Sequence, residues 1–155
     1  MGQWVLFCGH PEDKQAMDRR LTFLTAVLGF TAVAFGAMGA HAVKGAVLGL
    51  PDAADRLGWW ELAARYHLAH ALAVGLAAVL SAHVTGRFPN LAAGLFTLGI
   101  ILFSGSLYVM GLTGVRTLGA VTPFGGVAFL AGWLALGLAA RGLGRQKETP
   151  RPGEP

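Results

Sequence analysis

Three histidines are the residues whose types and positions could do chemistry in this chain. His67 and His70 lie three positions apart in the stretch RYHLAHALAVGLAAVLSAH, residues 65–83, and His41 lies near the end of an earlier apolar run. Residues three apart on a helix share a face, so this pair could bind a metal or relay a proton, and His41 could complete a three-histidine site. The alternative is that the imidazoles hydrogen-bond between helices and stabilise their packing. We favour packing and predict no metal, because no carboxylate in these runs could orient a metal-bound histidine.

Two serines in the stretch FSGSLY, residues 103–108, could act as nucleophiles. Ser104 or Ser106 beside a histidine resembles a hydrolase pairing, but the G-x-S-x-G pattern of a nucleophile elbow is missing from the chain. Ser-Gly-Ser in a helix more often permits close packing, with each hydroxyl bonded to the preceding turn. We therefore predict that the protein is not an enzyme.

The histidines and hydroxyls together define one candidate polar cluster. We predict that the cluster serves either binding or interhelical packing, with no catalytic residue and no cofactor. Its members are His41, Tyr66, His67, His70, Ser104, Ser106, Tyr108 and Thr122.

The composition determines which kind of scaffold must position this cluster. Of the 155 residues, 54% are hydrophobic and only 13% are charged, which exceeds what a water-facing surface tolerates. The Lys and Arg residues give a net charge of +4 but are scattered at the edges of apolar runs, a pattern that excludes nucleic acid as a partner. Cys8 is the only cysteine, so an intrachain disulfide and a cysteine-based metal site are excluded.

Four apolar runs are long enough to cross a hydrocarbon core of about 30 Å as helices. The predicted spans are residues 21–43, 63–83, 91–113 and 122–140. Short connections after the second and third spans predict an all-α integral membrane protein, folded as an antiparallel four-helix bundle. Thr122 and Pro123 are typical of an N-cap and a first helical turn, and indicate where the last span begins.

A longer connection separates the first two spans. Pro51 and Asp52 are typical of a helix start, and Trp59 and Trp60 are typical of residues at a membrane interface. We therefore predict a short interfacial helix here. Small residues recur at helical spacing in the spans, where they would serve either bundle packing or self-association. They are Ala32, Gly36 and Ala40, then Ala69, Ala73 and Ala77, and finally Ala131, Ala135 and Ala139.

The segments outside the spans carry most of the charge. Residues 1–20 are predicted to be an N-terminal extension, within which Met17 could be the natural start, and residues 141–155 a disordered tail rich in Arg and Pro. Eight Lys and Arg residues lie on the side that holds both termini, against four on the other side. The positive-inside rule then places both termini in the cytoplasm.

Four stretches, in order, resemble a known family: GAMGAHAVK (36–44), ARYHLAHALAV (64–74), FSGSLYVMGLTG (103–114) and TPFGGVAFLAGW (122–133). The chain resembles the bacterial small membrane proteins called domain of unknown function 423, which are related to the eukaryotic transmembrane protein 256 family. The resemblance covers about residues 21–140. It implies a four-helix integral protein of the bacterial inner membrane, and it brings no activity or catalytic residues with it.

These observations predict a non-enzymatic accessory or structural membrane protein that acts through its helix surfaces. Its expected partners are the lipid bilayer and either a second copy or another membrane protein. The alternative is a small oligomeric transporter or channel that uses the polar cluster, in the half of the bundle away from the cytoplasm. A proton-coupled exchanger would be expected to carry an intramembrane Asp or Glu, and the predicted spans contain neither.

Overall fold

The computed structural model describes the backbone of residues 11–84 and 86–141, with side chains from Arg19 onward. Within these residues the regular structure is entirely helical. The elements are α1 (Pro11–Met38), α2 (Lys44–Val47), α3 (Ala53–His83), α4 (Phe88–Gly99), α5 (Gly105–Thr113) and α6 (Thr122–Ala140). Two π-helical segments, Gly39–Val43 and Ile100–Ser104, join α1 to α2 and α4 to α5, and a 3-10 turn covers Arg116–Ala120. The predicted tail beyond residue 141 and the first ten residues of the predicted extension lie outside the described residues.

Four continuous helical stretches are long and apolar enough to cross a membrane. They cover residues 19–47, 53–83, 88–113 and 116–140. The prediction of an all-α protein with four membrane-spanning helices is therefore confirmed. The first stretch belongs to a helix that begins at Pro11, ten positions before the first predicted span.

The contacts between neighbouring helices show that these helices run in opposite directions. Thr25 of α1 lies against Gly75 of α3, whereas Phe35, further along α1, accepts a hydrogen bond from Trp60, nearer the start of α3. In the same way Phe96 of α4 lies against Gly132 of α6, while Ser106 of α5 bonds to Thr122 at the start of α6. Consecutive spans are therefore antiparallel.

The helix α3 is the centre of the arrangement. It packs against α1 on one side and against α4 and α5 on the other, whereas α6 packs mainly on α4 and the second π segment. One buried cluster lies among α3, α4 and α6 around Phe96, and a second lies among α3, α5 and the first π segment around Trp60. The side chains that reach from α3 therefore determine how the remaining helices are placed.

The interfacial helix predicted between the first two spans is not present as a separate element. α3 begins at Ala53, directly after Pro51 and Asp52, and continues without a break to His83. Trp60 is buried, because its ring lies against Phe35 and its indole N–H donates to the Phe35 carbonyl oxygen at 2.8 Å. This contact with α1 keeps the first turns of α3 in line with the rest of the helix.

Ionic contacts connect the start of α3 to the end of α5. The Arg56 guanidinium bonds to Asp52 at 2.9 Å and donates to the Leu112 carbonyl oxygen at 3.1 Å, where a cation stabilises a helix C-terminus. Arg116 forms an ion pair with Asp55 at 2.7 Å. The connection that follows α5 is therefore fixed to the second span at this end of the bundle.

Glycine and alanine allow α6 to approach its neighbours closely. A Cβ atom on Gly125 would collide with the backbone nitrogen of Phe103, whereas one on Gly126 would meet open space. Of the predicted small-residue ridges, those of α3 and α6 are largely buried, but Gly36 and Ala40 of the first ridge are exposed. Ala32 of the same ridge is buried, so only the start of the first ridge contributes to packing inside this chain.

We expect Gly125→Ala to destabilise the bundle by about 1–3 kcal/mol, because the backbone of Phe103 cannot move aside for a methyl group. The matched control is Gly126→Ala, where open space and the higher helix propensity of Ala predict an unchanged or raised stability. Thermal unfolding of both variants in detergent micelles measures the difference. Equal midpoints for the two variants would contradict the close contact.

Candidate functional site

The eight residues of the predicted polar cluster are distributed over several contacts between the helices. Most of them lie in separate contacts between pairs of helices, and His41 is exposed in the first π segment. Tyr66 is 39% exposed and packs its ring on Phe103. The remaining contacts belong to His67, His70, Ser104, Ser106, Tyr108 and Thr122.

His67 connects α3 to both α1 and α5. Its Nε2 atom lies 3.5 Å from the Thr31 hydroxyl oxygen of α1, and its Nδ1 atom lies 3.4 Å from the Tyr108 hydroxyl of α5. Phe35 packs edge-on against both rings. His67 is 4% exposed, so its two ring nitrogens are shielded from solvent and form two long hydrogen bonds within the protein.

The proton positions on His67 follow from its partners. The Thr31 hydroxyl donates its one proton to the Val27 carbonyl at 2.9 Å, so it accepts from His67 Nε2–H. In a neutral imidazole the Nδ1 atom is then bare and accepts from the Tyr108 hydroxyl. This network assigns His67 as a neutral imidazole with its proton on Nε2.

His70 connects α3 to α6 instead. Its Nδ1–H donates to the Tyr66 carbonyl oxygen at 2.8 Å, and its Nε2 atom accepts from the Trp133 indole N–H at 3.3 Å. The imidazole stacks on Phe129, with ring centroids 3.5 Å apart. Because an indole N–H can only donate, His70 is a neutral imidazole with its proton on Nδ1, the opposite tautomer to His67.

The two histidines of the pair take part in different contacts in this arrangement. The nitrogen atoms of His67 and His70 are directed at different helices, and His41 is exposed while the other two are buried. Among the residues that the structure describes, no group of three or more His, Cys, Asp or Glu side chains lies close enough to hold a metal ion.

Ser106 and Thr122 form a third contact, between α5 and α6. Their hydroxyl oxygens are 2.8 Å apart, and Ser106 also donates to the Phe103 carbonyl at 2.9 Å. α6 begins at Thr122, as expected, but Val121 occupies the N-cap position without a side-chain cap. The prediction that Thr122 caps this helix was wrong, because its hydroxyl bonds to Ser106.

Ser104 is the exception among the buried hydroxyls. It is fully buried, and its oxygen has no hydrogen-bond partner among the described residues. It ends the second π segment, where the Ile100 carbonyl accepts from the Gly105 N–H, five residues on. The expectation that a serine here bonds to the preceding turn holds for Ser106 but not for Ser104.

Four further residues contribute to contacts between helices that the sequence did not predict: Trp60, Trp133, Thr31 and Phe129. A signal for the tryptophans was present, because each indole N–H is a donor that needs an acceptor when it lies in an apolar span. Their partners could not be read from the sequence. One is a backbone carbonyl of another helix, and the other is a ring nitrogen 63 positions away.

This fold and these contacts define the class of the protein. It is an integral membrane protein whose helices are held together by contacts between pairs of polar side chains. The chain belongs to the family described as "Protein of unknown function (DUF423)", whose family model matches residues 35–126. The matched range contains all eight residues of the polar cluster. The resemblance to this family is confirmed, and the expected relation to the eukaryotic family stays a prediction.

Relatives in several bacteria are similar over most of their length. The UPF0382 membrane protein YwdK of Bacillus subtilis is 41% identical over 118 residues, covering 76% of this chain and 92% of the relative. The UPF0382 inner membrane protein YgdD of Escherichia coli is 38% identical over 130 residues, covering 83% and 95%. No solved structure matches the chain.

We expect His67→Ala and His70→Ala each to lower the free energy of unfolding by about 1–3 kcal/mol, because each leaves a cavity and an unpaired partner. His83→Ala is the matched control, since His83 is exposed and, among the described residues, bonds to the Val79 carbonyl of its own helix alone. The thermal midpoint in detergent micelles measures the effect. If His83→Ala lowered the thermal midpoint as much as the other two variants, the contacts of His67 and His70 would not be the source of the stability.

Proposed function

We propose that the protein is a non-enzymatic accessory or structural protein of the bacterial inner membrane that acts through the outer faces of its helices. The observation that carries this proposal is the use of its buried polar groups. Both ring nitrogens of His67 and both of His70 form hydrogen bonds inside the bundle. The hydroxyls of Ser106 and Thr122 bond to each other. A polar side chain that fastens helices together is not free to bind a substrate.

The partners of the histidines also support a role without catalysis. A histidine that acts as a general base needs a group to orient it and a neighbouring nucleophile within hydrogen-bond reach. His67 meets the hydroxyls of Thr31 and Tyr108, and His70 meets a backbone carbonyl and an indole N–H. In the described part of the chain, neither ring is oriented by a carboxylate.

The cellular location and orientation are part of the same proposal. The Escherichia coli relative is named an inner membrane protein, which supports that location for this chain. Eight of the twelve Lys and Arg residues lie on the side that holds both termini, which supports a cytoplasmic position for both. The polar contacts near the starts of α3 and α6 then lie in the half of the bundle away from the cytoplasm.

One observation favours a small transporter as the second candidate. Ser104 is a fully buried hydroxyl without a partner among the described residues, and it ends a π-helical segment. π segments within helices are frequent at functional sites. A hydroxyl left unbonded in the interior would suit a transient polar ligand.

Flux measurements in proteoliposomes distinguish the two candidates. The accessory role predicts no protein-dependent flux of protons, Na⁺, K⁺ or Cl⁻ above that of empty vesicles. Ser104→Ala is the informative variant and Ser106→Ala its matched control. A flux that Ser104→Ala abolishes while the thermal midpoint stays unchanged would overturn the proposal in favour of the transporter.

Crosslinking in native membranes tests the accessory role directly. A photo-reactive residue at Phe30 or Leu130, both largely exposed on the outside of the bundle, should trap one reproducible membrane protein. The control is the same residue at Val74, which is fully buried and should trap none. Adducts with lipid alone, or with a second copy alone, would contradict an accessory role.

A further inference from the structure

An outward stripe on α3 combines two charged residues with a row of leucines. Its members follow one another at intervals of three or four residues and are all exposed, so they lie on one face of the helix. They are Glu61, Arg65, Leu68, Leu72 and Leu76. We call this surface the α3 stripe.

The length of α3 places the two charges at the edge of the membrane. Its 31 residues extend about 46 Å at 1.5 Å per residue, well beyond a hydrocarbon core of about 30 Å. Counting about 20 residues back from His83 puts the edge of the core near residue 63. Glu61 then lies just outside the core, and Arg65 lies just inside it, where a long side chain can extend to the headgroups.

Neither charge of the α3 stripe has an ion-pair partner among the residues that the structure describes. The described residues include two ion pairs, Arg56 with Asp52 and Arg116 with Asp55, and neither involves Glu61 or Arg65. An unpaired charge at a lipid-facing position is costly, and residues of this kind usually mark a function. The bilayer itself offers groups that could pair with both.

We propose that the α3 stripe binds one phospholipid with an ethanolamine headgroup, independently of the accessory role proposed above. The order of the charges supports this lipid. In such a headgroup the phosphate is bonded to the glycerol that carries the acyl chains and the ammonium lies at the far end, and Arg65 is likewise nearer than Glu61 to the leucines of the α3 stripe. A guanidinium can bind phosphate through two hydrogen bonds.

The other two parts of the lipid fit in the same way. The Glu61 carboxylate accepts hydrogen bonds from the primary ammonium, which a choline headgroup cannot provide. An acyl chain lies along Leu68, Leu72 and Leu76, which continue the same face toward the middle of the bilayer. A glycerol headgroup would satisfy Arg65 but leave Glu61 without a cation.

A Glu61–Arg65 pair within the helix is the competing explanation, because Glu and Arg four positions apart often bond on a helix surface. The exchanged variant, Glu61→Arg combined with Arg65→Glu, separates the two explanations. It keeps two opposite charges four residues apart but reverses their order along the membrane normal. A pair within the helix would survive this exchange, whereas a headgroup with the phosphate innermost would not fit.

Native mass spectrometry of the full chain in detergent, with equal amounts of ethanolamine, choline and glycerol phospholipids, tests the proposal. The wild type should retain the ethanolamine lipid in preference to the other two. Arg65→Gln should reduce retention of all three by about two- to fivefold, the effect of losing one exposed charge pair. Glu61→Gln should abolish only the preference for ethanolamine, and the exchanged variant should lose it as well.

Arg87→Gln is the matched control, because Arg87 is exposed at the opposite membrane surface and should leave retention unchanged. All of these positions are exposed, and the thermal midpoint of each variant verifies that it is folded. The proposal is overturned if the wild type shows no preference among the three lipids. It is equally overturned if Glu61→Gln or the exchanged variant keeps the ethanolamine preference.

Discussion

A polar atom inside the hydrocarbon core must find its partner within the protein, and this constraint explains most of the arrangement of the bundle. α3 carries His67, His70 and Trp60, and each of them bonds to a different part of the chain. No hydrophobic effect drives helices together in lipid, so such contacts and close packing are what distinguish one arrangement from another. The central position of α3 follows from the partners that its side chains require.

Close packing and polar contacts occur in the same places. Gly125 allows α6 to approach Phe103, and one turn away along that contact Ser106 bonds to Thr122. Gly99 similarly makes room for Phe129, whose ring also stacks on His70. A hydrogen bond between two short side chains such as Ser106 and Thr122 needs a short distance between the helix backbones, and a glycine at the contact provides it. The two kinds of interaction therefore depend on each other.

The four spans could be predicted from the sequence because their length and apolar composition are local properties, set by the thickness of the bilayer. Whether the histidines share one site could not be decided from such local properties of the sequence. His67 and His70 are about 60° apart around the helix, close enough to share a face but far enough to reach different neighbours. Which neighbour lies on each side is decided by Trp133, Tyr108 and Thr31 on other helices. The burial of Trp60 could not be predicted for the same reason, since it depends on Phe35 of α1.

Measuring the tautomers of His67 and His70 tests most directly whether these histidines hold helices together or share one site. Solid-state nuclear magnetic resonance of the ¹⁵N-histidine-labelled protein in a bilayer, with each ring assigned by its single substitution, reports which nitrogen carries the proton. The account predicts a protonated Nδ1 and a bare Nε2 for His70, and the reverse for His67. Rings that are doubly protonated at neutral pH, or that exchange tautomers freely at both positions, would contradict it.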